Sequence, residues 1–104
     1  MDLTWARNLM RVRQVVRQTP PGTALDPRVV AELTRLPLGA TLALLQVLAG
    51  KREGRLELRV VDDRGREVAC YGSLPEVPAT VTDEFGERVS VGPENVELVF
   101  RVFR

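Results

Sequence analysis

Few residues in this chain could do covalent or acid–base chemistry. Its 104 residues include one cysteine, Cys70, and no histidine. That excludes Ser/His/Asp and Cys/His catalytic arrangements, an internal disulfide and most zinc sites. A reactive thiol needs a neighbouring base or a cationic, accessible setting. Cys70 shares parity with Leu56, Leu58 and Val60, which puts it on the core face of a strand as an inert thiol. Two acid pairs, Asp62-Asp63 and Asp83-Glu84, are the candidates for general acid–base work. Such a pair must converge on one pocket with separated pKa values. Both pairs fall instead where hairpins are predicted to turn, as solvated turn residues. The glycine-flanked basic loop Gly50-Lys51-Arg52-Glu53-Gly54 follows a helix rather than leading into one. It meets the wrong dipole end for a phosphate cradle and reads as a C-cap with cations near the last carbonyls. No catalytic, cofactor-binding or metal-ligating residue is expected, and the chain reads as non-enzymatic.

Binding chemistry rests on arginine. Arg7, Arg11, Arg13 and Arg17 lie on the first predicted helix and could hold phosphates in a weak, sequence-independent contact with nucleic acid. Three helices followed by a hairpin is also winged-helix order, with Asp63-Arg64-Gly65-Arg66 as the wing tip. The last of those helices, Leu38–Ala49, would then enter the major groove. It has no Arg, Lys, Asn or Ser with which to read base edges. The net charge of +1 is far from the basic balance of a nucleic-acid domain. A solvated face is the plainer reading of the four arginines, and nucleic acid stands second to a protein partner.

The elements that must position these residues follow from hydrophobic period. Trp5, Leu9, Val12 and Val16 form one stripe of a helix over about 4–18, ended by Pro20-Pro21-Gly22. Asp26-Pro27 opens a second helix, 27–36, with Val29, Val30, Leu33 and Leu36 on one face and Pro37 as its stop. A third, 38–49, is apolar nearly all round and is expected to be the central buried helix, with Gly50 as its C′ residue. After Gly54 the period changes to 2, predicting strands at about 55–62, 66–72, 78–82, 88–91 and 96–103. Val60 opposite Val68, and Val81 opposite Val89, leave three-residue loops ending in Gly65 and Gly86. A third connection, Gly92–Asn95, sets Val91 opposite Val96 and completes a three-strand meander. The expected fold is α+β in a single domain, 1–104, with three helices on one face of an antiparallel sheet of about five strands.

In that register the outer sheet face is polar except at Val61, Tyr71, Val99 and Phe103. Clustered, they would form an interface patch, and the chain would be a protein-interaction module or a homodimer that persists at high salt. Charge is unevenly spread: residues 1–55 hold nine bases and four acids, net +5, and residues 56–104 hold six and ten, net −4. A basic half can present its face to an acidic partner. No signal-peptide pattern opens the chain, and the longest apolar stretch, Leu36–Gly50, is too short to span a bilayer. A cytoplasmic location without membrane contact is expected. Fourteen Arg against one Lys, and no Ile, fit GC-rich bacterial coding; seven Pro would suit a warm habitat, whereas scarce Lys argues against a hyperthermophile. Residues 38–72 resemble the PATAN type of signalling domain in Leu44, Leu45 and Leu48, then Gly54-Arg55-Leu56 and Gly65-Arg66-Glu67-Val68-Ala69. The two glycines are closer than in that family and the usual strand aromatic is missing, so no residue role carries over.

Overall fold

The computed structural model describes residues 3–103. Its helices are α1 (Leu3–Arg17), α2 (Pro27–Thr34) and α3 (Leu38–Gly50). Its strands are β1 (Ala24–Leu25), β2 (Gly54–Val61), β3 (Glu67–Tyr71), β4 (Thr80–Thr82), β5 (Arg88–Ser90) and β6 (Val96–Val102). One antiparallel sheet has the order β1-β6-β2-β3, and β4 pairs with β5 in a second. The fold is α+β, with the helices packed on an antiparallel sheet.

The predicted meander is corrected. Pro93–Asn95 is a 3-10 turn in which Asn95 Oδ1 accepts from the Gly92 N–H and Asn95 Nδ2 donates to the Ser90 carbonyl. The chain leaves this turn without returning to β5, and β6 pairs with β1 and β2. Seven-residue β6 finds more ladder partners beside eight-residue β2 than beside three-residue β5. The chain divides into two compact units. The helical unit runs up to Leu56 and resumes at Phe100, and the β-unit is Glu57–Val99.

The core of the helical unit is Val12 and Val16 of α1, Val30 of α2, Leu44, Leu45 and Leu48 of α3, and Phe100 and Val102 of β6. Burying each such side chain stabilises by about 1.5–3 kcal/mol. α3 is not buried all round: Thr41, Leu44, Leu45 and Leu48 face inward, while Gly39, Ala43 and Gln46 lie exposed at i, i+4 and i+7. Trp5, expected on the α1 core stripe, is 53% exposed.

Helix ends here are chemical rather than glycine-driven. Asp26 caps α2, its Oδ1 accepting from the Arg28 N–H at 2.9 Å, and Pro27 takes the first turn. α2 stops at Arg35, which is left-handed (φ 56°), with the Leu36 N–H bonded back to the Ala31 carbonyl. At the end of α3, Gly50 remains helical and Arg52 takes the left-handed turn (φ 60°), with the Glu53 N–H bonded to the Leu48 carbonyl. Gly54 has a steric reason: a Cβ there would collide with the Phe100 ring and the Arg101 carbonyl. Only glycine lets β2 start so close to β6.

The β-unit repeats one turn twice. The Asp62 N–H bonds the Arg66 carbonyl and the Gly65 N–H the Asp62 carbonyl; Asp83, Glu87 and Gly86 repeat both bonds. Gly65 and Gly86 have φ of 77° and 80°, the left-handed third position that the predicted loops require. Val81 does pair with Val89. In the first hairpin the predicted register holds only next to the turn. A shift between Val60 and Val61 makes Val68 an extra residue, so Val60 faces Ala69 and Arg59 faces Cys70. Cys70 therefore shares a face with Arg59 rather than with Val60, and is half-buried. Val60, Val61, Val81 and Val99 are the buried apolar residues of this unit.

Candidate functional site

The four arginines of α1 separate into two groups. Arg13 donates to Glu53 Oε1 at 3.0 Å, and Arg17 reaches the same oxygen at 3.4 Å. The Arg13 hydrogen bond, with the charges of both guanidiniums, holds the Glu53 carboxyl below the usual carboxylate range against the opposing effect of burial. This cluster ties α1 to the loop after α3. It is structural chemistry: two cations already have their anion.

Arg7 and Arg11 lie about a third of a turn round the helix from that pair, in register with Gln14 and Gln18 at i, i+4, i+7 and i+11. All four side chains are exposed, and Met10 beside them is 70% exposed. A groove of about 570 Å³ runs from this face to α2. Its apolar surfaces are Val15 and Leu33, its rim is Arg11, Gln14, Gln18 and Arg35, and Thr19 and Thr34 complete it. No acid lines it. Both threonine hydroxyls are already bonded, Thr19 to the Val15 carbonyl and Thr34 to the Val30 carbonyl, each at 2.7 Å.

Leu33 is in this groove because α2 presents a different face from the one expected. Pro27, Val30, Ala31 and Thr34 face the core. Val29 and Leu33, expected on one apolar face with Val30 and Leu36 by their spacing, are 45% and 66% exposed. Thr34 can be buried because its hydroxyl bonds back along the helix, which leaves the larger Leu33 outside. Arg35 owes its place to the left-handed end of α2. An exposed leucine between two arginines was not readable from periodicity, although the run Val29–Leu38, whose only acid is Glu32, was a signal available in the sequence.

The predicted outer-face patch does not form. Val61 and Val99 are buried, Tyr71 is half-buried, and only Phe103, 40% exposed, has substantial surface. β4 lies near β3 within the β-unit, and Val81 is buried along with Val61 and Val99. The two turns do come together: Asp62, Glu67, Asp83 and Glu84 line one pocket of about 370 Å³ with Arg66, Val68 and Phe85, but both turn aspartates are already committed to backbone N–H groups. Asp62 Oδ1 accepts from the Arg64 and Arg66 N–H groups, and Asp83 Oδ1 from those of Phe85 and Glu87. The Arg66 N–H bond, then that of Arg64, holds the Asp62 carboxyl below its ordinary value.

Among the described residues, no group of three His, Cys, Asp or Glu side chains is placed to hold a metal ion, and no single helix is long and apolar enough to cross a membrane. Comparison with protein-family models, with curated proteins and with solved structures finds no match for this chain.

Proposed function

We propose that the chain is a non-enzymatic interaction module, working in the cytoplasm, whose helical unit receives an acidic and partly apolar protein segment in the α1–α2 groove. The observation that carries this reading is Leu33, 66% exposed between Arg11 and Arg35 in a groove that no acid lines. An apolar floor with a cationic rim suits a peptide that has both an apolar side chain and carboxylates. Charge supports it: the helical unit's sequence holds eleven bases and four acids, net +7. Nucleic acid is the weaker reading. Of the four arginines that would hold phosphates, Arg13 and Arg17 are engaged with Glu53, leaving Arg7 and Arg11.

Fluorescence anisotropy with two labelled probes, a short peptide of Glu and Phe and a DNA duplex, tests this. The peptide should bind at about 0.15 M salt and lose about tenfold or more in affinity in the double variant Arg11→Glu, Arg35→Glu. Tighter binding of the duplex, lost steeply as salt rises, would favour phosphate contacts instead.

A further inference from the structure

The molecule carries an acidic, partly apolar segment of its own. The β-unit holds four bases and ten acids, net −6, against +7 in the helical unit. Its twin turns share a backbone but not a surface. The first, Asp62–Arg66, places Arg64 and Arg66 at its third and fifth positions; the second, Asp83–Glu87, places Phe85 and Glu87 there. Phe85 is 68% exposed, and the Glu84 side chain is 71% exposed. The second turn is also held firmly. Asp83 accepts from two N–H groups of the loop, and Arg66 lies 5.5 Å from the Phe85 ring centre and 3.6 Å from Glu84. Its aromatic is thus presented with little ordering left to lose on binding.

We propose that the occupant of the α1–α2 groove is the Asp83–Glu87 turn of a second copy of this chain. Phe85 of one copy seats on Val15 and Leu33 of the next, with Glu84 and Glu87 facing Arg11 and Arg35. The inference rests on the groove reading above and names the partner. Groove and turn are different surfaces, so the contact is heterologous: each copy gives a turn and receives one, and the assembly grows into a ring or a chain. The first turn cannot substitute, because its third position is Arg64 and offers no apolar side chain to Val15 and Leu33. Charge attraction, not a large apolar patch, drives this contact, so salt should dissolve it.

Sedimentation equilibrium reads the result. At about 0.1 M salt the weight-average mass should climb with concentration from 11.6 kDa to at least twice that, and return to the monomer at about 1 M salt. Two variants block opposite halves: Arg11→Glu with Arg35→Glu removes the groove, and Phe85→Arg with Glu87→Arg gives the second turn the dressing of the first. Each alone should stay monomeric, and an equal mixture should form a one-to-one pair and nothing larger. That pair also shows that both variants fold. A wild-type chain that stays monomeric at low salt overturns the proposal, as does a turn variant that self-associates like wild type or a mixture that does not pair. If such a monomer still binds the acidic peptide through Arg11 and Arg35, the self-association is wrong and the groove reading stands; if the peptide is not bound either, both fall.

Discussion

The helical unit and the β-unit are stabilised by different chemistry. The first buries Leu44, Leu45, Leu48 and Phe100 along with four valines. The second buries Val60, Val61, Val81 and Val99, and has no buried apolar side chain larger than valine. What the β-unit lacks in apolar volume it offsets with fixed turns, each closed by an aspartate that takes two backbone N–H groups. The contrast teaches where robustness and specificity lie. Large side chains hold the helices whatever their surface, which leaves that surface free to collect arginine. Small side chains and hydrogen-bonded turns fix the β-unit, and the turns leave Asp63, Glu84 and Glu87 exposed.

Truncation should break the two units unequally. Leu45→Ala removes a side chain with no exposure from the helical core and should cost about 2–5 kcal/mol in urea unfolding. Gly54→Ala should rival it, because the new Cβ meets the Phe100 ring and the Arg101 carbonyl; overpacking of this kind costs about 1–3 kcal/mol or more. Val99→Ala in the β-unit removes two carbons and should cost about 1.6 kcal/mol. Equal losses for Leu45 and Val99 would erase the contrast.

Polar contacts sharpen it further. Glu53→Gln leaves Arg13 and Arg17 without their anion and should cost about 1–3 kcal/mol. The Glu53 carboxyl is lowered in the folded state, so its contribution is complete above the ordinary carboxylate range and is lost as pH falls through the folded value. Acid unfolding curves of wild type and Glu53→Gln should therefore converge at low pH. Gly65→Ala and Gly86→Ala each force a left-handed alanine and should cost about 1–2 kcal/mol, alike because the turns are alike.

Much of this was legible in the sequence. Helix periods, the Asp26-Pro27 start, the two glycine turns and the α+β class all follow from local chemistry. The sheet's ordering and faces did not, for two physical reasons. A one-residue bulge at Val68 leaves the apolar alternation intact yet inverts the face of Cys70 and Tyr71. Two-residue β1 has no period to read, and β6 chooses its neighbour by ladder length, which is a tertiary fact. The site was half legible. Arg11 stood out by type, whereas Leu33 and Arg35 depended on the phase and left-handed end of α2. The apolar-patch expectation failed because burial does not follow strict alternation: Val99 is buried while its neighbour Leu98 is 40% exposed.

The central claim is that the groove between α1 and α2 receives an acidic, apolar-bearing segment. Its most direct test is an amide NMR titration of the labelled chain with the Glu/Phe peptide at about 0.1 M salt. The account predicts saturable shifts at Gln14, Val15, Leu33, Thr34 and Arg35, absent in the Arg11→Glu, Arg35→Glu variant. Shifts confined to the β-unit, or shifts that survive in that variant, would contradict it.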